Sequence, residues 1–325
     1  MNEKTITVTD PGQDIQHLLD SLPEDNASYR ILLPPGTFRQ RLVIRRPQTV
    51  LEGAGQNLST VCSAQGGFEL QPDGRKLGTF RTATVMVDAD DVTLRNLHIS
   101  NEAVPRETKG QAIALYADGD RLTVEQCRLS SFQDTLFTAP LPEKEVEPHG
   151  FAGPKEYAPR RPTRQQYKNC RIEGDIDFIF GGAAAWFQDC DLIILDGRQK
   201  RDLPFEAYIC APSTPSGQRL GYVFTDCRID SPEAPDGTVY LGRPWRECAQ
   251  AVFLRCRLGP CIHPLAISEW GNRCAQGQVF FAMADCAGPG VPQESLFLHS
   301  LTDEKLSVYT DEFLTEFFTA LDWPS

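Results

Sequence analysis

Two aspartates, Asp134 and Asp177, stand 43 residues apart, and the two cysteines just upstream of them, Cys127 and Cys170, are also 43 apart. The carboxylates thus keep a common phase with a second repeated residue. Gln111 precedes Gln133 by 22 residues. If the chain winds in coils of that length, Gln111, Asp134 and Asp177 fall on adjacent strands about 4.8 Å apart. Like charges at such range drive their pKa values apart, so that one carboxyl keeps its proton near neutrality. An ionised carboxylate beside a protonated one supplies attack and proton donation together. Further on, Tyr240-Leu-Gly-Arg-Pro-Trp245 holds Arg243 between a glycine and a proline, a placement suited to gripping a carboxylate with two prongs. Trp245 offers a flat face for a sugar ring, or else serves as a core aromatic.

Residues this far apart need a repetitive scaffold to bring them together, and the sequence contains one. Six segments share a pattern of polar, Cys or Leu, polar, aliphatic: Asn96-Leu97-His98-Ile99, Gln126-Cys127-Arg128-Leu129, Asn169-Cys170-Arg171-Ile172, Asp189-Cys190-Asp191-Leu192, Asp226-Cys227-Arg228-Ile229 and Arg255-Cys256-Arg257-Leu258. Their second positions are spaced 30, 43, 20, 37 and 29 residues apart. Alternation puts the Cys and the aliphatic residue on one face of a strand. Recurrence at roughly 20 to 30 residues is that of a solenoid of short strands, a parallel β-helix, with small buried residues stacked coil upon coil. The surplus of cysteines is then core filling rather than a disulfide framework.

The step of 43 reads as one coil plus an insertion at about 139–165, where Pro140, Pro142, Pro148, Pro154, Pro159 and Pro162 crowd together. Arg160, Arg161 and Arg164 read there as solvated loop charges, or as contacts to carboxylates of a ligand. Two amphipathic stripes, Ile15-Leu18-Leu19-Leu22 and Phe313-Leu314-Phe317-Phe318-Leu321, predict helices that cover the ends of the solenoid. The whole chain, 1–325, reads as one domain.

Gln111-Ala-Ile-Ala-Leu, Gln133-Asp134-Thr135, Asp177-Phe178-Ile179-Phe180-Gly181 and Leu241-Gly242-Arg243-Pro244-Trp245 resemble, in order, the signature motifs of the pectin methylesterases (pectinesterases). The similarity runs from about Ile6 to Pro292 and includes Gly53-Ala-Gly55 and Thr82-Ala-Thr-Val85. The resemblance implies a right-handed parallel β-helix and hydrolysis of the methyl ester at C6 of galacturonate. It further implies Asp177 as nucleophile, Asp134 as acid and base, Gln111 and Gln133 as oxyanion donors, and Arg243 as the group that aims Asp177. Trp245, Phe137 and Phe180 would line the sugar cleft; for the two phenylalanines a core role reads equally well. The implied ligand is methylated homogalacturonan or its oligomers, with no metal and no organic cofactor. One departure stands out: the family's Gly-x-Tyr-x-Glu is here Gly36-Thr-Phe38-Arg-Gln40.

Composition narrows the classes. With 32 Lys and Arg against 44 Asp and Glu, the chain carries −12 at pH 7, which disfavours a dedicated nucleic-acid binder. No apolar run reaches the length of a transmembrane helix. The start, Met1-Asn-Glu-Lys-Thr-Ile6, lacks the apolar stretch of a secretory signal, so the expected compartment is the cytoplasm, or the exterior if a signal has been removed. A monomer is expected. Cys256, Cys261, Cys274 and Cys286 lack the Cys-x-x-Cys knuckles of a zinc site. A non-catalytic galacturonan-binding β-helix and a pectin-cleaving lyase or polygalacturonase stand as the competing functions.

Overall fold

The computed structural model describes residues 3–198, 204–271, 273–293 and 295–323. Short strands wind into three parallel sheets of eleven, eight and seven strands, called here the back, side and front sheets. Each coil passes from back to side to front and returns, so neighbours in a sheet come from successive coils. This is a parallel β-helix. No described helix is long and apolar enough to cross a membrane.

The repeated tetrapeptide marks the corner between back and side sheets. Its first residue is Asn96, Gln126, Asn169, Asp189, Asp226, Arg255 or Asp285, always left-handed with φ between 51° and 58°. Asn and Asp adopt this backbone more readily than other residues with a Cβ. The Cys therefore sits in the corner, not on the strand of the aliphatic residue as the alternation suggested, yet both point inward. Cys127 donates to the Glu125 carbonyl two residues back, and from Cys170 on each thiol also reaches a carbonyl of the coil before: Cys170 to Val124 (3.3 Å), Cys190 to Tyr167 (3.3 Å), Cys227 to Phe187 (3.4 Å), Cys256 to Phe224 (3.6 Å) and Cys286 to Phe253 (3.5 Å). Cys286 is a further rung that the pattern missed, because Ala287 stands where the other coils have a polar residue and Gly288 where they have an aliphatic one. Beside this column Tyr167, Phe187, Phe224 and Phe253 stack with centroids 4.7, 4.6 and 4.7 Å apart, near the strand spacing itself.

The N-terminal helix (Ile15–Asp20) sends Ile15 and Leu19 into the main core. Gln40, one of the two departures from the family motif, holds its start: Oε1 accepts from the Ile15 amide at 2.8 Å, and Nε2 donates to the Gln13 carbonyl at 2.6 Å. Phe38, the other, is fully buried.

The C-terminal helix (Asp311–Thr319) departs from expectation. Its Leu314, Phe317 and Phe318 pack on Trp186, Val223 and Val252, outward-facing residues of the back sheet, so it lies along the side of the solenoid and not across its end. Leu321 falls beyond the helix and is exposed. Periodicity identified its apolar face but carried no information about the surface that receives it.

The insertion is shorter than expected, because Arg164–Lys168 is already a strand of the back sheet. Arg164 is neither a solvated charge nor a ligand contact. It is 1% exposed, grips Asp120 through Nε (2.9 Å) and Nη2 (2.6 Å), and donates to the carbonyls of Phe317, Ala320 and Asp322. Arg161 pairs with Asp90, and Arg160 donates to backbone carbonyls of the insertion.

Candidate active site

The front sheet builds the site through its register. Leu115, Leu136, Ile179 and Cys210 align in one row, and Tyr116, Phe137, Phe180 and Ala211 in the next. Asp134 and Asp177 each lie two residues before this first row, so they occupy equivalent places on neighbouring coils. Asp134 closes the gap by donating its amide to the Ile176 carbonyl at 3.0 Å. Pairing with the next strand shifts between Ile176 and Ile179, a bulge that contains Asp177. Bulges re-aim side chains and recur beside active sites. Both aspartates are left-handed, with φ of 66° at Asp134 and 49° at Asp177, a strained backbone of the kind stored at functional sites.

Both carboxylates are buried yet open into one cavity of about 310 Å³, within which Gln111, Gln133, Phe180, Arg243, Trp245 and Trp270 also contribute to the wall. Arg243 grips Asp177 with two prongs, Nε to Oδ1 at 2.8 Å and Nη2 to Oδ2 at 2.6 Å. The guanidinium is itself sandwiched between the rings of Tyr208 (3.8 Å) and Trp270 (3.9 Å). Such stacking fixes an arginine in a way a lysine could not reproduce. Asp134 accepts no hydrogen bond from the described residues, and neither Gln111 nor Gln133 spends its side-chain amide on one. Those groups remain available to a ligand.

The two carboxyls are electrostatically unequal. Burial raises both, but Arg243 opposes the rise at Asp177 through its hydrogen bonds and charge. At Asp134 burial is joined by the negative charges of Asp177 and Asp175, and its carboxyl lies well above the usual range despite the more distant Arg243. Asp175, buried with Arg106 Nε 3.2 Å away, is itself pushed up to about 6 by burial. Asp134 thus holds its proton under conditions where Asp177 has lost it. This pair can attack an electrophilic carbon and protonate a leaving group without any change of partner.

The sequence-chosen residues do not all reach the cavity. Phe180 and Trp245 line it; Phe137 does not. Phe137 is fully buried behind them, 5.0 Å from both Phe80 and Phe180 by ring centroid, and acts as their support. Gln111 lies on the coil before Gln133 and in step with it, since the Ala112 amide donates to the Gln133 carbonyl at 3.1 Å, as parallel neighbours do. Phe80, Phe151, Tyr208, Arg246 and Trp270 escaped the sequence reading. Most come from loops of irregular length, where no spacing marks them; Tyr208 alone had a signal, as the strand partner of Tyr240. No cluster of His, Cys, Asp or Glu among the described residues is arranged to hold a metal ion.

Residues 7–141 and 157–303 match the family model described as pectinesterase. The chain belongs to the pectinesterase family. Among curated pectinesterases of Arabidopsis thaliana, the probable pectinesterase/pectinesterase inhibitor 64 is 29% identical, covering 96% of this chain and 49% of the relative. Pectinesterase QRT1 is 28% identical over 85% of this chain and 66% of its own length. The chain thus spans about half to two thirds of these relatives. A pectin methylesterase solved in complex with a hexasaccharide is 25% identical with a TM-score of 0.76, covering 95% of this chain and 93% of that one. The pectin methylesterase of Erwinia chrysanthemi shares the fold at a TM-score of 0.77 and 24% identity, over 100% of this chain and 99% of that one. Between the two stretches matched by the family model lie residues 142–156, within the insertion, and Val146, Glu147, Gly150 and Phe151 of this segment line the cavity.

Proposed function

We propose that this pectinesterase hydrolyses the methyl ester at C6 of galacturonate, with Asp177 as nucleophile and Asp134 as acid and then base. The inequality of the two carboxyls in one cavity carries the reading. Asp177 Oδ adds to the ester carbonyl carbon, and the Gln111 and Gln133 amides donate to the oxygen that becomes negative. The bond to the methoxy oxygen then breaks, and methanol departs with the proton of Asp134. An acyl–Asp177 anhydride remains. Asp134, now ionised, takes a proton from water; the hydroxide cleaves the anhydride and restores the Asp177 carboxylate. Arg243 keeps Asp177 ionised and aimed throughout.

A relative solved with a hexasaccharide supports a carbohydrate ligand, and the flat faces of Trp245 and Trp270 suit sugar rings. The eleven free cysteines favour folding in a reducing compartment. The test is methanol release from methylated galacturonides by the wild type and by Asp177→Ala. Loss of about four orders of magnitude or more is expected for the variant, the scale seen when a nucleophile is removed. Equal rates would sink the assignment, and chain shortening without methanol would move the protein to the lyases or polygalacturonases.

A further inference from the structure

The outward residues of the front sheet form one row along the solenoid axis: Val43, Met86, Tyr116, Phe137, Phe180 and Ala211. Such a row is a ready floor for an extended chain of sugars. It is not open. Tyr116 and Phe137, in the middle of the row, are wholly buried, and the groups that cover this stretch are Phe80 and Phe151. Phe151 belongs to the insertion; its ring lies 6.0 Å from Phe80 and 6.2 Å from Trp245. Two residues on, Gly153 packs so close that a Cβ there would meet the Phe80 Cβ at 2.7 Å.

The floor is therefore cut in two. On one side lies the cavity with Asp134 and Asp177; on the other, a separate depression lined by Val43, Met86, Phe80, Gly153 and Pro154. The partition is fastened to the sheet beneath it. Lys155 pairs with Asp88 and also lies 3.4 Å from Asp118, at the ends of two neighbouring front-sheet strands. Arg161 binds both oxygens of Asp90 at 2.7 and 2.8 Å. Arg160 staples the insertion internally, donating to the carbonyls of Pro142, Lys155, Glu156 and Ala158. Across the rim, Arg246 Nη2 donates to the Lys144 carbonyl at 3.1 Å. A loop held by so many charge-assisted contacts behaves as a wall.

From this geometry we infer that the insertion blocks the N-terminal half of the groove, so that the site takes the end of a methylated galacturonide, or a short oligomer, and not the interior of a long chain. The bound sugars lie against Trp245 and Trp270, which line the same cavity as Asp177. The inference rests on the esterase reading above and specifies its substrate class.

The experiment compares kcat/KM per ester for methanol release on methylated tri- to hexagalacturonides and on highly methylated pectin polymer. It uses the wild type, a variant with 143–156 replaced by a short Gly-Ser linker, and the milder Lys155→Met/Arg161→Met double variant. The wild type is expected to favour oligomers by about tenfold or more; in the linker variant the polymer-to-oligomer ratio of kcat/KM is expected to rise about tenfold. The double variant moves in the same direction and keeps the test alive if the linker variant does not fold. Mass spectrometry of the oligomer products should place the first lost methyl group near one chain end. Equal wild-type rates on both substrates, or a ratio unchanged in both folded variants, would overturn the wall. Methanol from neither substrate would instead overturn the esterase reading itself.

Discussion

Asp134 and Asp177 carry the same side chain, and their neighbours give them opposite protonation tendencies. Asp177 has an arginine within hydrogen-bonding distance on both oxygens; Asp134 has two other aspartates nearby and no donor among the described residues. A consequence for stability follows from the sign of the Asp134 shift. Its carboxyl binds its proton more tightly folded than unfolded, so in the window from the unfolded value near 3.9 up to the folded value the native state holds more protons, and stability falls as pH rises. Asn at this position cannot ionise and tolerates the left-handed backbone. Asp134→Asn should therefore lose about 10²- to 10⁴-fold in turnover, the usual weight of a general acid. At pH 8 it should nonetheless be more stable than wild type by about 0.5–2 kcal/mol, a common size for relieving a functional position. Thermal melts at pH 4 and pH 8 check this: the advantage must shrink toward pH 4, and a variant less stable at pH 8 would contradict the electrostatic account.

At the scale of elements, the strand Arg164–Lys168 shows what the sequence conceals. Its residues read Arg-Gln-Gln-Tyr-Lys, polar enough to pass for the end of a proline-rich loop, yet four of the five are buried. Apart from Gln166 Oε1, which has no partner among the described residues, the buried side chains are paired inside: Gln165 donates to the Ala117 carbonyl at 2.9 Å and accepts from Tyr167 Oη at 2.7 Å, while Arg164 joins Asp120 to the carbonyls that follow the C-terminal helix. Burial by pairing leaves no hydrophobic pattern to read. The Cys column was legible for the converse reason, since one small inward residue recurs in a fixed setting. The phase of the two aspartates could be read from that same column, while Phe80, Phe151 and Trp270 arrive on loops whose paths no spacing records. Arg164→Met leaves Asp120 with Arg121 Nη1 at 2.9 Å and the backbone amide of residue 164, and it should cost about 3 kcal/mol, the lower end for breaking a buried pair. Urea unfolding would register it, and limited proteolysis should show early cleavage near the C-terminal helix; a loss below about 1 kcal/mol would mean the pair is replaceable by packing.

For the whole molecule the telling groups are the thiols. All eleven cysteines are free, nine are buried, and only Cys248 and Cys286 are half-buried. Burial pushes Cys127 up to about 12, and Cys286 donates to the Phe253 carbonyl, so neither offers a ready thiolate. An aromatic disulfide reagent should find one fast thiol, Cys248, in the native protein and all eleven after denaturation, with the melting temperature indifferent to reductant. Several fast thiols in the native state would mean that the interior opens. The corner that carries these cysteines has a wider meaning. Between back and side sheets it is two residues long from the strand ending at Arg95 to the strand ending at Leu254, whereas the chain returning from front to back takes 25 residues between Thr138 and Arg164 and two between Gly181 and Ala184. One edge of the spiral cannot accept an added residue without losing its place in the thiol ladder; the return edge accepts many. Length variation in descendants of this chain is thereby channelled to the margin of the face that carries the cavity, where a new loop can reshape its walls while the spine that aligns the two aspartates goes on being copied unchanged.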